Sequence, residues 1–364
     1  MFRKHGWKTY VISSDWPLFL KKFDRIVLVS LTHRITYLRI RQLRFNSRDI
    51  IAYIVSESDR MPTSMTTAKV AEKVCRRIAT PSMFSYEMMK KQGLRVDDMV
   101  PHGYDVEYWS HKPREAEMIR ARYWGKKILF ANFANTFRKC PREMFHALAL
   151  LLRRKVDNWV LLLNSKPIGE YNYLEIMSEY EREYGVNLRE HVVFVFENKP
   201  PDFTPIDKLR AYYHAAHIFL HPSCNEGFGM PIVEAMLAKK PIIHIDAPPM
   251  NEIVDREFGY PIKPCHTEYR ETWDRGAILY KPCMKSYVDK LEEAILEDEE
   301  VLEEKGEKAY AKAVKYDFWK IYEYFVNPPE RNDTPKIYDL EREEMRDMYA
   351  RAEATQILRS TVHR

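Results

Sequence analysis

Residues 217–236 read HIFLHPSCNEGFGMPIVEAM, and they are the most informative part of the sequence. The apolar run at its start predicts a buried strand, and the residues from Met230 onward have the spacing of a helix. Gly227 and Gly229 allow a tight turn between the two, and Pro231 suits the first turn of a helix. We therefore predict a strand, a glycine-rich turn and a helix whose first N–H groups lie above a sheet edge.

The start of this helix favours a phosphate group, because free N–H groups and the positive end of the helix dipole lie there. Two carboxylates flank that position, Glu226 in the turn and Glu234 one turn into the helix. Carboxylates accept hydrogen bonds, and sugar hydroxyls donate them. A diphosphate between two polyols, as in a nucleotide sugar, satisfies both features. The alternative is a helix-capping pair of glutamates on a solvated loop, since two glutamates eight positions apart are common.

Short β-branched runs alternate with helical patterns through most of the chain, which is typical of βαβ units and a parallel sheet. The predicted strands are residues 9–12, 25–29, 50–55, 77–80, 127–131, 159–163, 192–195, 217–220 and 241–245. The predicted helices are residues 141–154, 171–184, 206–216 and 230–237. This pattern predicts an α/β protein with two Rossmann-like domains.

Three segments are predicted along the chain: an N-terminal domain over residues 1–112, a second domain over 113–316 and C-terminal helices over 317–364. The aromatic side chains of residues 317–326 favour packing of the last segment back onto the N-terminal domain. Residues 263–285 have the pattern of an irregular loop insertion whose length suggests a function. A charged amphipathic helix is predicted over residues 340–358.

Composition excludes several classes of protein. The chain has 364 residues, of which 45% are hydrophobic and 30% charged, enough for two packed cores and too apolar for disorder. Its apolar runs are far shorter than the roughly 20 residues that cross a membrane. The N-terminus lacks the apolar core of a signal peptide, so we expect a cytoplasmic protein. The presence of only three Gln favours a thermophilic source.

The five cysteines suggest neither disulfides nor a metal site. They are scattered, odd in number and form no CxxC pair: Cys75, Cys140, Cys224, Cys265 and Cys283. A disulfide framework and a structural zinc site are therefore not expected. The simplest interpretation is free thiols in a reducing cytoplasm.

The net charge of +5 is unevenly distributed. Residues 1–110 carry 19 basic and 11 acidic side chains, whereas the remainder carries 39 and 42. The densest basic stretch holds Arg34, Arg39, Arg41, Arg44 and Arg48. It indicates either a solvated helix whose side-chain stems cover the core or a patch for an anionic acceptor or an anionic membrane on its inner face. Nucleic acid is a weaker alternative, because no recognition motif with interleaved aromatic residues is present.

Residues 226–236 resemble the motif of glycosyltransferase family 4, a Glu and a second Glu eight positions later within EGFG-x-P-x-x-EAM. Further parts of that family are similar to residues 100–105, 209–219 and 241–254. The resemblance covers residues 5–326. It implies a GT-B fold, in which two Rossmann-like domains face each other across a cleft. It also implies retaining transfer of a hexose from a nucleotide-diphosphate sugar to an acceptor hydroxyl.

The resemblance implies a role for each residue of the motif. Glu226 would bind hydroxyls of the donor sugar at the catalytic centre, and Glu234 would bind the ribose hydroxyls. The backbone between them would contact the sugar and the diphosphate, at Gly227, Phe228, Gly229 and Met230. The nucleotide sugar is then the expected partner, and its base is expected at the loops after Leu163 and Phe196. No cofactor and no metal are expected, since no convincing Asp-x-Asp motif follows a predicted strand.

Arg138 and Lys139 are the candidate catalytic cations. The family has an Arg and a Lys after the first strand of the donor domain. Lys139 matches the Lys, while Phe133 stands at the usual Arg position and leaves Arg138 as the nearest substitute. Departure of a nucleoside diphosphate builds negative charge that fixed cations stabilise. The alternative is an exposed basic dipeptide.

The N-terminal region departs from the family pattern. Residues 3–12 resemble the part that follows the family's first helix, so the first strand and its glycine-rich loop are expected to be missing. Either the acceptor half is reduced or the sequence begins late. No His follows the strand at residues 50–55, and Glu57 is there either a base or a loop carboxylate. A catalytically degenerate GT-B scaffold is therefore an alternative function, beside a basic protein that binds nucleic acid.

Overall fold

The computed structural model describes residues 22–31, 47–57, 72–197, 204–271 and 276–330. The predicted strand at 9–12, the predicted missing first strand and the helix at 340–358 lie outside these ranges. The same holds for four of the five arginines of the basic stretch, Arg34, Arg39, Arg41 and Arg44. Arg48 is described, and it is exposed. Within the described ranges, no helix has the length and apolar character needed to cross a membrane.

The first half of the described chain is built on a four-stranded parallel sheet with the order β1-β2-β3-β4. Its strands are Ile26–Leu31 (β1), Ile50–Val55 (β2), Arg77–Thr80 (β3) and Asp98–Met99 (β4). The prediction of a strand at 50–55 is confirmed, and this strand is buried along most of its length. Two helices follow in sequence, Met83–Lys91 (α1) after β3 and Val106–Ser110 (α2) after β4.

The second half contains a six-stranded parallel sheet with the order β10-β9-β8-β5-β6-β7. Its strands are Lys127–Asn132 (β5), Trp159–Asn164 (β6), Val192–Phe194 (β7), Ile218–His221 (β8), Ile242–Ile245 (β9) and Gly259–Ile262 (β10). Its helices are Arg114–Arg122 (α3), Pro141–Arg153 (α4), Tyr173–Tyr184 (α5), Ile206–Ala215 (α6), Met230–Leu237 (α7), Met250–Ile253 (α8), Met284–Leu296 (α9) and Glu299–Ala313 (α10). The strand order reverses between β5 and β8, and such a switch point opens a crevice at the carboxyl ends of the strands.

Alternate residues of the central strands point into two separate hydrophobic cores. Phe130 and Phe219 belong to the core on one face of the six-stranded sheet. Leu129, Leu161 and Leu220 belong to the core on the other face. Because both faces are buried, these strands are continuous apolar runs rather than alternating ones. This is why the sequence pattern located them within one or two residues.

The described residues of 263–285 include two paired strands, so the prediction of an irregular loop is wrong. Strands Pro264–Glu271 (β11) and Gly276–Pro282 (β12) pair in an antiparallel sheet of their own. Ala277 and Leu279 of β12 are buried in a core of the second half. Strand β11 is mostly polar and exposed, so hydrophobic periodicity does not predict it.

The expectation of five free thiols is also wrong. Cys140 is bonded to Cys224 and Cys265 to Cys283, while Cys75 is a buried free thiol. Cys140 follows β5 and Cys224 follows β8. These strands are neighbours in the sheet, so cysteines that are 84 positions apart in the sequence meet at one edge. Spacing along the chain carries no information about such a meeting.

The end of the described chain returns to the first sheet. The short helices Phe318–Ile321 (α11) and Glu323–Val326 (α12) bring Tyr324 and Phe325 into a core that also holds Ile51 of β2. The hydroxyl of Tyr324 donates to the buried Asp98 carboxylate at 2.5 Å. The boundaries proposed for residues 1–112, 113–316 and 317–364 remain predictions.

Candidate functional site

The predicted strand, turn and helix at residues 217–236 lie at the carboxyl edge of the six-stranded sheet. Gly229 has a φ of 103°, a left-handed conformation that favours glycine and turns the chain into α7. The loop after β5 lies beside this turn. The disulfide Cys140–Cys224 joins the two loops, and the Cys224 N–H donates to the carbonyl oxygen of Arg138 at 2.9 Å. The site therefore lies at the β5–β8 switch point.

Lys139 and Glu226 form a buried ion pair at this point. The Lys139 Nζ donates to Glu226 Oε1, and each side chain is about 10% exposed. His221, the fully buried last residue of β8, places its Nε2 3.2 Å from the same carboxylate oxygen. Burial raises the pKa of Glu226, but Lys139, His221 and Arg138 outweigh it and hold the pKa well below its usual range. Glu226 is therefore an ionised hydrogen-bond acceptor.

Arg138 takes part in an ion pair between the two halves of the molecule. Its Nη1 donates to Glu57 Oε1 at 2.7 Å, and Glu57 comes just after β2 of the first half. The neighbouring Asn225 is fully buried, and its amide donates to the carbonyl oxygens of Glu57 at 3.0 Å and of Ile278 at 2.9 Å. Asn225 thus connects the motif, the first half and the hairpin β11–β12.

Glu234 lies in α7 and is 9% exposed. The hydroxyl of Tyr213, on α6, donates to Glu234 Oε2 at 2.6 Å. Burial raises the pKa of Glu234 to about 7, against the opposing effect of this hydrogen bond. The two carboxylates of the motif therefore differ: a cation holds Glu226 ionised, whereas Glu234 titrates near neutral pH.

The backbone of the motif packs tightly against the first half. The carbonyl oxygen of Gly227 accepts hydrogen bonds from Ser82 Oγ at 2.6 Å and from Ser85 Oγ at 3.2 Å. A Cβ atom at Gly227 would lie 2.1 Å from Val55 Cγ1, so no larger residue fits there without movement. The ring of Phe228 is buried edge-on against His102. In contrast, Met230 is 47% exposed.

Glu252 makes a further contact across the halves. Its carboxylate accepts the N–H groups of Met83 at 3.0 Å and Phe84 at 2.8 Å, at the start of α1. These are N–H groups that a helix start leaves without a partner within the helix. Burial raises the pKa of Glu252 to about 8, against the effect of these two hydrogen bonds.

No group of three or more His, Cys, Asp or Glu side chains that could hold a metal ion occurs among the described residues. The metal-free site remains a prediction. The positive groups near the motif are the side chains of Lys139 and Arg138 and the start of α7. Together with two carboxylates, they can hold a ligand that carries both phosphate and hydroxyl groups.

Residues 125–312 match the family described as glycosyl transferases group 1. The chain belongs to this family. It is 24% identical over 254 residues to an uncharacterized glycosyltransferase of Sulfolobus islandicus rod-shaped virus 1, which covers 67% of this chain and 70% of the viral protein. It is 31% identical over 238 residues to the O-antigen chain mannosyltransferase RfbU of Salmonella typhimurium, which covers 65% of this chain and 60% of RfbU.

Solved structures share the fold of this group 1 glycosyltransferase. Anabaena HepE in complex with UDP superposes with a TM-score of 0.62 at 17% identity, over 84% of this chain and 78% of HepE. HepE in complex with UDP and glucose gives a TM-score of 0.64 at 16% identity, over 84% and 77%. With its two parallel sheets and flanking helices, the group 1 glycosyltransferase has the predicted α/β GT-B fold.

The structure of this group 1 glycosyltransferase pairs Lys139 with Glu226 and places Arg138 beside the neighbouring Asn225, with its ion pair to Glu57. Arg138 and Lys139 do not form an exposed basic dipeptide, because both side chains are largely buried. The sequence reasoning missed four polar residues: His221, Asn225 and Tyr213, which lie at the motif, and Glu252, which binds the start of α1. For the first two, the available signal was a polar side chain within an otherwise apolar strand end and turn. For Tyr213 and Glu252, the available signal was their place in the segments 209–219 and 241–254, which resemble the family, and the tertiary contacts show what each side chain binds.

Proposed function

We propose that this chain is a retaining, metal-independent transferase of family 4, which moves a hexose from a nucleotide-diphosphate sugar to an acceptor hydroxyl. The observation that carries the proposal is the buried Lys139–Glu226 pair beside the start of α7, with Glu234 one turn further along the helix. The relatives support a nucleotide sugar, since the HepE structures hold UDP and UDP-glucose and RfbU is a mannosyltransferase.

The diphosphate would lie between the start of α7 and the two cations. As the bond between the anomeric carbon and the phosphate oxygen breaks, negative charge builds on the diphosphate, and fixed cations stabilise it. Each cation now pairs with a carboxylate, Lys139 with Glu226 and Arg138 with Glu57. Donor binding would therefore exchange part of these ion pairs for contacts with phosphate oxygens.

The two motif carboxylates would hold the two sugars of the donor. Glu226 is ionised and accepts hydrogen bonds from hydroxyls of the transferred hexose, while Glu234 accepts those of the ribose. The acceptor oxygen attacks the anomeric carbon on the face from which the diphosphate leaves. Its proton passes to the departing phosphate oxygen, which balances the charge without a metal.

Attachment to the membrane is open to a separate test. A cytoplasmic enzyme held at the inner membrane face by its basic stretch would bind vesicles that contain anionic lipid. Flotation with and without anionic lipid checks this proposal, and equal recovery in both samples would remove it.

A thermal-shift screen of UDP-, GDP-, ADP- and dTDP-sugars tests the proposed function, because a ligand that binds only the folded state raises the melting temperature. We expect one nucleotide class to stabilise the wild type and Glu234→Ala to lose most of the shift. The matched control is Glu175→Ala, an exposed glutamate in the first turn of α5, which should keep the full shift. If no nucleotide sugar raises the melting temperature, or if Glu234→Ala responds like wild type, the proposal is wrong.

A further inference from the structure

We propose that a directed chain of buried hydrogen bonds, from Thr204 through Asn164, Asn132 and Tyr213, positions Glu234 and keeps its carboxylate in the state that accepts ribose hydroxyls. This inference rests on the proposed function, which assigns the ribose to Glu234. The four residues act through Glu234 and are positioning residues for the donor.

The chain is continuous and runs in one direction. Thr204 Oγ1 donates to Asn164 Oδ1 at 2.6 Å, and Asn164 Nδ2 donates to Asn132 Oδ1 at 2.9 Å. Asn132 Nδ2 then donates to the Tyr213 oxygen at 3.0 Å, and the Tyr213 hydroxyl donates to Glu234 Oε2 at 2.6 Å. Because every member donates toward the carboxylate, each bond polarises the next one and strengthens the last.

The fold places the members of this chain along one sheet edge. Asn132 and Asn164 are the last residues of β5 and β6, and they are paired in the register of these strands. Thr204 lies just before α6, and Tyr213 is on that helix. Thr204, Asn164 and Tyr213 are all buried, where unpaired polar groups are costly, and the chain satisfies them. Its outer end, Thr204, lies between β7 and α6, after Phe196, at one of the two places where we expect the nucleobase.

Glu234 depends on this chain because the neighbours described around it supply no cation. The titratable groups that face it are the phenols of Tyr213 and Tyr104, and the Tyr104 hydroxyl donates to the Met230 carbonyl oxygen at 3.3 Å. Burial raises the pKa of Glu234 to about 7, and the hydrogen bond from Tyr213 is the contact that lowers it. Removing that bond would raise the pKa of Glu234 further and leave the carboxyl protonated at neutral pH.

The test measures how the binding of a nucleoside diphosphate depends on pH. UDP, GDP and ADP are titrated into the full chain by calorimetry between about pH 6 and pH 9, and the tightest binder is kept as the probe. We expect wild-type affinity to fall as the pH drops through about 7, because Glu234 becomes protonated. Glu234→Gln lacks the titrating carboxyl and gives the baseline for proton uptake by the phosphates themselves.

Tyr213→Phe should move the midpoint of this dependence to higher pH. We expect the midpoint to rise by roughly one pH unit, which makes binding roughly fivefold weaker at pH 7 and lets it recover toward wild-type affinity near pH 9. Thr204→Val should move the midpoint in the same direction by a smaller amount, and it carries the test if Tyr213→Phe does not fold. The matched control is Tyr212→Phe on the same helix, which should keep the wild-type profile.

A wild-type midpoint in Tyr213→Phe would overturn the inference. A shifted midpoint in Tyr213→Phe with an unchanged midpoint in Thr204→Val would show that the four residues do not act together as one hydrogen-bonded chain. If no nucleoside diphosphate binds the wild type, it is the proposed function that fails instead. The two failures are therefore distinguishable.

Discussion

In the candidate site, the ion pair between Lys139 and Glu226 is the contact whose loss by a single substitution should have the largest effect on stability and rate. Both groups are largely buried, so each charge depends on the other for its stability. His221 contributes a ring nitrogen to the same carboxylate. Burial lowers the pKa of His221, against the opposing effect of the Glu226 carboxylate.

Lys139→Met should reduce both the free energy of unfolding and the rate of transfer. Removing the cation leaves the Glu226 carboxylate buried and unpaired, which costs about 3–5 kcal/mol. Loss of one charge-stabilising donor at the departing diphosphate should lower kcat by about 10²–10³-fold. Urea unfolding and initial rates measure the two effects separately.

The double variant Lys139→Met/Glu226→Gln separates stability from catalysis. It removes both charges, so we expect most of the lost unfolding free energy to return while kcat stays low. A double variant that is no more stable than Lys139→Met would show that the two residues are not paired. A wild-type kcat in Lys139→Met would remove this residue from the mechanism.

At the scale of elements, two loops hold the candidate site, and covalent bonds restrain them. The disulfide Cys140–Cys224 joins the loops after β5 and β8, and Cys265–Cys283 closes the base of the hairpin β11–β12. The backbone N–H of Tyr280 in β12 donates to the carbonyl oxygen of Cys224 at 2.9 Å. The hairpin therefore supports the loop that carries Glu226.

The two disulfides should contribute unequally to stability. Cys140 and Cys224 are 84 positions apart, and Cys265 and Cys283 are 18 apart. Because the entropy lost by the unfolded chain grows with loop length, Cys140→Ser/Cys224→Ser should lower the free energy of unfolding by about 1 kcal/mol more than Cys265→Ser/Cys283→Ser. Denaturant unfolding without reductant measures both losses.

Activity provides the second readout for these variants. Cys140 directly follows Lys139, so the loss of its bond should also lower kcat. A Cys75→Ala variant keeps both disulfides and should retain the wild-type rate, since Cys75 packs in a core of the first half. An equal or larger stability loss on removing the hairpin disulfide would contradict the expectation.

At the scale of the whole molecule, the motif itself takes part in the contact between the two halves. The carbonyl oxygen of Gly227 accepts hydrogen bonds from Ser82 and Ser85 of the first half. Glu57 of the first half pairs with Arg138 of the second half. Glu252 of the second half accepts a hydrogen bond from the start of α1 in the first half. The loop that carries Glu226 is therefore shaped by both halves, so its geometry depends on the first half as well as on the second.

Gly227→Ala should disturb this contact and slow transfer. The added methyl group would meet Val55 Cγ1 at 2.1 Å, so the turn or the first half must shift. A shift of about 1 Å at the reacting groups can cost about 10²-fold in rate. Initial rates with a fixed donor and acceptor measure the loss.

Shortening Val55 provides the matched rescue. In Val55→Ala/Gly227→Ala the clashing methyl is gone, and we expect a higher rate than in Gly227→Ala alone. Val55→Ala by itself is the control for the loss of the valine side chain. If the double variant is as slow as Gly227→Ala, the close approach of the two halves is not the reason for the glycine.

Several elements could be predicted from the sequence to the residue. The strand at 50–55 and the helix at 230–237 are confirmed at both ends. Both are defined by local features, a continuous apolar run in the strand and glycine and proline at the start of the helix. The strand Asp98–Met99 is only two residues long, and strand β11 is mostly polar, so neither has a hydrophobic periodicity to detect.

By itself, the sequence determined the alternation of strands and helices, and with it the parallel sheets and the glycine-rich turn at their edge, because these depend on neighbours within a few residues. Which distant side chains meet at that edge depends on how the strands are ordered in the folded protein. The strand order puts β5 beside β8, and this pairing brings Lys139 to Glu226 and Cys140 to Cys224. Hydrogen bonds such as that from Tyr213 to Glu234 depend on the packing of helices on the sheet, which no local pattern encodes.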